Sequence, residues 1–145
     1  MVELQIRPLT AEEEEAREAA LQMAARLVGA TPPHTVEQVD ELYKVLRDEY
    51  PNFLEGQIAV GVAFGELIAA KSDYEWIRVT DEYGSETALA PRGVQGACHP
   101  ISMMQKRIDE RADIDIGRTR DATIEIIEER IRSGQWAARK SADID

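Results

Sequence analysis

The chain has 145 residues, with 28 Asp or Glu against 17 Lys or Arg, so its formal net charge is −11. At this length a single domain is expected, and apolar and charged shares of 43% and 31% indicate a globular chain rather than a disordered one. The excess of acids falls in the first two thirds: residues 1–50 carry 11 acids and 5 bases, residues 51–100 carry 7 and 3, and residues 101–145 carry 10 and 9. Nucleic acids and anionic membranes attract clustered cations, so we expect neither as a partner. A basic protein suits this charge better, unless the acids serve solubility alone.

Cysteine and histidine usage predicts a cytoplasmic protein without a metal. Cys98 is the only cysteine, so no intrachain disulfide and no four-cysteine site is expected. His34 and His99 are the only histidines, and their spacing indicates neither a metal site nor a nucleophile pair with Cys98. The N-terminus lacks the basic and apolar regions of a secretory signal, and the longest weakly charged run, residues 57–70, is too short to span a bilayer. We therefore expect a bacterial-type cytosolic protein with no cofactor.

The first third of the chain predicts a short strand followed by two helices. Apolar and polar residues alternate from Val2 to Ile6, and Pro8 ends this strand. Each helix should begin with a capping box, in which a hydroxyl and a side chain three residues later bond reciprocally to the backbone: Thr10 with Glu13, and Thr35 with Gln38. The first helix should end at Gly29, and the second before Pro51.

A third helix should lie at the centre of the domain. Asn52 is expected to cap it, with Glu55 at the third position, and the following residues are apolar on most faces. Gly61, Gly65 and Ala69 recur every four residues and so form a smooth ridge, along which another helix or a sheet could approach closely.

The second half predicts a hairpin and two more helices. Alternation from residue 74 onward and the Asp81–Gly84 turn predict a β-hairpin spanning residues 74–91, paired with the N-terminal strand or with residues 94–98. Pro100 should begin a fourth helix, residues 113–117 should interrupt the pattern, and a fifth helix should end at Ser133 and Gly134. We therefore predict an α+β fold of about five helices and a small antiparallel sheet. Residues 1–134 should form one domain, and residues 135–145 a flexible tail.

Several short motifs occur in a characteristic order: Gly61–Glu66 (GVAFGE), Trp76, Asp81–Gly84 (DEYG), Pro100 and Lys106–Ile108 (KRI). This order resembles a bacterial family called domain of unknown function 3806, over roughly residues 35–130. The resemblance implies a small α+β domain. It implies no catalytic residue, because no activity is established for that family.

Glu66 is the candidate buried acid, since a carboxylate on a nearly all-apolar helix would be partly desolvated, as acid–base groups often are. The alternative is that Glu66 lies at the helix edge and pairs with Lys71, Arg78 or Arg107. A second carboxylate for a hydrolase would have to come from Asp81 or Glu82.

Six residues are candidates for an interaction surface. Aromatic groups near the hairpin are favoured at interface centres, although Trp76 could instead pack on the central helix. Lys106 and Arg107 could bind an anion near the start of the fourth helix, where the helix dipole would help. The set is Trp76, Asp81, Glu82, Tyr83, Lys106 and Arg107.

The sequence favours a noncatalytic protein-interaction module, one version being an acidic inhibitor or immunity-type protein that masks a basic protein surface. It contains no phosphate-cradling loop, nucleophile elbow or dinucleotide fingerprint, so an enzyme is the weaker hypothesis. The alternative is a small-molecule-binding protein or hydrolase using Glu66 with Asp81 or Glu82. A third hypothesis is a homodimer formed through the sheet edge.

Overall fold

The structure is a computed structural model that describes residues 4–139, so Val2 of the predicted first strand lies outside the described residues. Five helices pack with a three-stranded antiparallel sheet, and the predicted α+β fold is confirmed. The elements in chain order are β1 (Gln5–Pro8), α1 (Ala11–Val28), α2 (Val36–Glu49), α3 (Leu54–Ala70), β2 (Glu75–Asp81), β3 (Gly84–Ala90), α4 (Pro100–Asp109) and α5 (Ile116–Arg132).

Helix α3 is the central element, as its apolar composition predicts. Most of its residues are buried, and it packs against α1, α2, α4 and α5. The predicted ridge is confirmed: a Cβ atom built on Gly61 would lie 2.5 Å from the Cα of Ile101, and one on Gly65 would lie 2.3 Å from the ring of Trp76. Glycine therefore lets α4 and the β2 indole approach the α3 backbone directly.

The sheet has the order β1-β2-β3, with the hairpin formed by β2 and β3 as predicted. Asp81 pairs with Gly84, which leaves Glu82 and Tyr83 as the two turn residues. The Asp81 carboxylate accepts a hydrogen bond from the Tyr83 backbone N–H at 2.8 Å, and Gly84 has a φ of 137°. Both expected partners of the hairpin are present, since β1 pairs with β2 and Leu89 of β3 forms a bridge to Cys98.

The two faces of the sheet contact different clusters of apolar residues. Leu89 and Trp76 face the main core around α3. A smaller cluster on the other face contains Ile77, Val79, Ala88 and Ala90. Alternation along β2 therefore separates the two clusters, because successive side chains point to opposite faces.

Two of the three helix caps predicted from the sequence are confirmed, and the third is not. Thr10 and Thr35 form the predicted capping boxes, and Asp115 caps α5 within the interruption predicted over residues 113–117. The Asn52 cap is wrong. Phe53 is the N-cap of α3 and makes no side-chain cap bond, and its ring lies so close to Gly56 that a Cβ there would be 2.7 Å away. Packing of this aromatic ring takes precedence over an exposed amide cap.

Residues 135–139 differ from the flexible tail expected from the sequence. The backbone of Arg139 donates to the Gly93 carbonyl at 2.7 Å, and Gln95 donates to the Ala137 carbonyl at 2.8 Å. The indole of Trp136 covers Gly96, where a Cβ would be 2.2 Å from the ring, and Arg130 lies 5.4 Å from the ring centroid. This segment therefore packs on the loop before α4, because the large apolar side chain of Trp136 contacts the exposed backbone at Gly96. The rest of the expected tail, residues 140–145, lies outside the described residues.

Candidate functional site

Glu66 belongs to a cluster that joins α1, α3 and β2. Its carboxylate lies 3.1 Å from a guanidinium nitrogen of Arg17 and accepts a hydrogen bond from the indole N–H of Trp76 at 3.2 Å. The guanidinium of Arg17 also lies 5.7 Å from the centroid of the Trp76 ring. Both oxygens of the Glu66 carboxylate are thus engaged, although Arg17 also pairs with Glu14 and so divides its charge between two carboxylates.

The partner of Glu66 differs from the three cations expected from the sequence. Lys71 pairs instead with Asp121 at 2.7 Å, Arg78 lies 3.4 Å from Glu13, and Arg107 lies 3.1 Å from Glu110. Arg17 takes the place of these cations because α1 packs along α3 and brings a residue 49 positions earlier to the edge of that helix.

Asp81, Glu82 and Tyr83 lie together at the hairpin tip and apart from Glu66. The Tyr83 side chain is 90% exposed, and Asp81 bonds to the turn backbone. Trp76 contacts Glu66 and is five strand positions from Asp81, a separation of about 17 Å along the backbone. The carboxyl groups of glycosidases lie about 5 to 9.5 Å apart, so this is not the geometry of a hydrolytic pair.

Lys106 and Arg107 lie in the last turn of α4, not near its start. The helix dipole is negative at this end, so it does not support the anion site expected there. Arg107 is paired with Glu110, and Lys106 is exposed. The six candidate interaction residues therefore occupy three separate places: Trp76 in the Glu66 cluster, Asp81 to Tyr83 at the hairpin tip, and Lys106 with Arg107 at the end of α4.

The cysteine and the histidines lie in separate environments. Cys98 is buried against the main core, and burial raises the pKa of its thiol to about 12. His99 Nδ1 lies 2.7 Å from Glu86 at the edge of the sheet, and His34 Nε2 lies 2.9 Å from the Ala30 carbonyl. Within residues 4–139, no cluster of three or more His, Cys, Asp or Glu has the arrangement of a metal site.

A cleft beside Glu66 opens between α1, α3 and the loop before α2. Its volume is about 490 Å³, and Leu21, Pro33 and Leu67 supply apolar walls. His34 and Glu66 are the ionisable groups that line it. A volume in this range is sufficient for a small organic molecule.

A second concave surface, which we call the α1–α2 groove, was not found by sequence reasoning. It has a volume of about 390 Å³ and lies between the end of α1 and the length of α2. Six large apolar side chains are exposed in residues 4–139, and Leu27, Val45 and Tyr50 among them line this one groove. Single exposed apolar residues are ordinary, whereas a cluster in a concavity indicates a binding surface. The groove is lined by Leu27, Val28, Gln38, Glu41, Leu42, Val45, Leu46, Tyr50 and Phe53.

The exposed charges of α2 beside the groove are mostly negative. Lys44 is paired with Asp40 at 2.7 Å, and Arg47 with Asp48 at 2.8 Å. In the described part of the chain no cation lies within ion-pair distance of Glu37, Glu41 or Glu49, and all three are exposed. On its α2 side the groove therefore combines an apolar floor with an acidic rim, in which Glu41 is the charged residue that lines the groove itself.

Residues 50–119 match the family model described as Domain of unknown function (DUF3806). The family resemblance is thus confirmed for this region. It contains α3, the hairpin and α4, while α1, α2 and most of α5 lie outside it. No curated protein matches the sequence.

One solved structure shares the fold. It is a crystal structure from Bacteroides thetaiotaomicron, with a TM-score of 0.70 and 12% sequence identity. The superposition covers 84% of this chain and 47% of that protein, so the chain spans about half the length of its structural relative. At this identity the likeness establishes the fold alone. Among the helices of residues 4–139, none has the length and hydropathy needed to cross a bilayer.

Proposed function

We propose that this chain is a noncatalytic protein-interaction module that binds a basic protein on the α1–α2 groove. The observation that supports it best is the clustering of Leu27, Val45 and Tyr50, which are 42%, 36% and 57% exposed, in one concavity. Burial of such side chains is the main favourable term in protein association. An inhibitor or immunity-type protein that masks a basic surface is one version of this function.

The charge of the molecule supports a basic partner. The net charge is −11, and Glu37 and Glu41, which have no ion-pair partner among residues 4–139, lie beside the apolar floor. Complementary charge raises the association rate of two proteins, and salt reduces that effect. The same acidity argues against nucleic acid as the partner. We also propose that the protein is located in the bacterial cytoplasm, because its single buried thiol needs no oxidising compartment.

The sheet edge is a less favourable place for a homodimer. Strand β1 forms one edge and has only four residues, which include the exposed Arg7 and end in Pro8. Short edge strands with charge and proline are the features by which proteins block edge-to-edge pairing. The groove is therefore the better candidate for any stable contact.

The test compares Val45→Asp with a matched control, Ile126→Asp. Both change an exposed β-branched apolar residue of a helix to Asp, and Ile126 is 52% exposed on α5, away from the groove. Proteins captured from native lysate by the tagged wild type are compared with those captured by each variant. We expect at least one basic protein to be lost with Val45→Asp and retained with Ile126→Asp, and its association to slow as salt rises.

Urea unfolding must show that both variants remain folded. The proposal is contradicted if every protein that the wild type captures is also captured by Val45→Asp. An association rate that is the same at low and high salt would contradict a basic partner but would not contradict an apolar contact in the groove.

Binding of a small molecule in the cleft beside Glu66 is a second candidate, supported by the volume of about 490 Å³ and by the carboxylate in its wall. A hydrolase that also uses Asp81 or Glu82 is less well supported, because the hairpin tip is distant. A thermal-shift screen of wild type and Glu66→Gln would test the cleft. A compound that stabilises the wild type but not the variant would support it.

A further inference from the structure

We infer that the occupant of the α1–α2 groove is an amphipathic helix of about three turns with basic residues along its edges. This inference rests on the proposed function and names the class of partner. Three observations lead to it: the backbone of the groove walls, the length of the groove and the charge of its rim.

The walls of the groove are helices, which decides against a partner in the form of a β-strand. Strand addition needs a row of free backbone N–H and C=O groups, and along the groove those of α2 from Gln38 to Val45 are used inside the helix. The groove therefore recognises side chains. A polyproline segment needs a surface lined by aromatic rings, but the aromatic residues of this groove, Tyr50 and Phe53, lie at one end of it, and the other lining residues are aliphatic or polar.

The length of the groove suits a short helix. Along α2 and its C-cap the lining extends from Gln38 to Tyr50, which is twelve steps of the helix and about 18 Å at the helical rise of 1.5 Å per residue. A partner helix of twelve residues has the same length and makes about three turns. Apolar residues spaced by three and four positions on such a helix would face Leu27, Val45 and Tyr50.

The rim selects the charge of the partner. Glu41 lines the groove, and Glu37 lies one helical turn before it on the same side of α2. Lysine or arginine at the edges of the bound helix would stand opposite these carboxylates, whereas acidic edges would be repelled. The apolar floor supplies the affinity, and the rim selects against acidic helices.

Two displayed peptide libraries test the inference. One library contains 14-residue helices with Leu, Ile, Met or Phe at heptad-spaced core positions and with Lys, Arg, Glu, Gln or Ser at the edges; the other contains extended, proline-rich segments of equal length. Clones selected on the wild type are measured against Val45→Asp, Ile126→Asp and the double variant Glu37→Gln with Glu41→Gln.

We expect clones from the helical library with Lys and Arg enriched at the edges. Their binding should weaken at least about tenfold with Val45→Asp, a cost of about 1.4 kcal/mol, and remain unchanged with Ile126→Asp. The double Gln variant should weaken binding about two- to tenfold at low salt, since exposed charge pairs contribute little individually.

The other outcomes separate this inference from the proposed function. Clones that are extended, or helical with neutral or acidic edges, but that Val45→Asp still weakens would overturn the basic helix and leave the groove as a protein-binding site. Clones that bind Val45→Asp as well as the wild type, or no clones from either library, would overturn both.

Discussion

Gly65 offers the sharpest test of how α3 and the hairpin pack, because replacing it by alanine should have opposite effects in two backgrounds. A Cβ atom at this position would lie 2.3 Å and 2.5 Å from two ring atoms of Trp76, and 3.0 Å from Pro100. Carbon atoms prefer separations of about 3.5 to 4.0 Å, so the indole would have to withdraw by about 1 Å. That movement would strain the 3.2 Å hydrogen bond from the indole to Glu66.

The expected change in unfolding free energy is the difference between a gain in helix propensity and the costs of overpacking and of a weakened hydrogen bond. Alanine improves helix propensity by about 1 kcal/mol relative to glycine. Overpacking costs about 1 to 3 kcal/mol, and weakening a hydrogen bond to a charged acceptor adds up to about 1.5 kcal/mol at this partly exposed site. We therefore expect Gly65→Ala to lower the free energy of unfolding by about 0 to 3.5 kcal/mol, and Gly65→Leu to lower it at least as much.

In a Trp76→Leu background the overlap with the ring is absent. Gly65→Ala should then be neutral or should stabilise the protein by up to about 1 kcal/mol, since mainly the propensity term remains. Urea unfolding of the four proteins in this double-mutant cycle measures both effects. If Gly65→Ala changes the midpoint equally in both backgrounds, the indole does not lie against α3 at this glycine.

Three further predictions concern other parts of the fold. Hydrogen bonds from Arg7 and from the Thr10 backbone lower the pKa of Glu13 from its ordinary 4.5 to about 2, so this carboxylate stabilises the native state above about pH 4.5 and loses that contribution as pH falls towards 2. The difference in unfolding free energy between wild type and Glu13→Gln should therefore shrink over that interval. A difference that does not depend on pH would contradict the pairing of Glu13 with Arg7. Burial raises the pKa of Cys98 to about 12, so alkylation by iodoacetamide at pH 8 should be on the order of a hundredfold slower in the native protein than in the urea-unfolded chain, and rapid native labelling would show that the thiol is accessible. Trp136→Ala should lower the free energy of unfolding by about 1 to 3 kcal/mol through lost packing on Gly96. The control Gln135→Ala changes an exposed neighbour and should have little effect. Equal unfolding midpoints for the two variants would show that residues 135–139 are a flexible tail after all.

The sequence by itself determined the parts of this protein that depend on local bonding and periodicity. The Thr10 and Thr35 capping boxes require only residues three apart, and the hairpin turn requires only the four residues Asp81–Gly84. The all-round apolar composition of α3 was sufficient to place it at the centre. Such signals can be read locally because the groups that satisfy them are close in the chain.

Tertiary structure decided which residues meet and which faces remain uncovered. Arg17, not Lys71, Arg78 or Arg107, pairs with Glu66, because the choice depends on how α1 lies along α3. Val45 has the same helical spacing as Leu42 and Leu46, which are buried, yet it is 36% exposed. Periodicity shows that a face is apolar, but only packing shows whether another element covers it. The α1–α2 groove exists because no described element covers Val45, Leu27 and Tyr50, and that could not be read from the order of the residues.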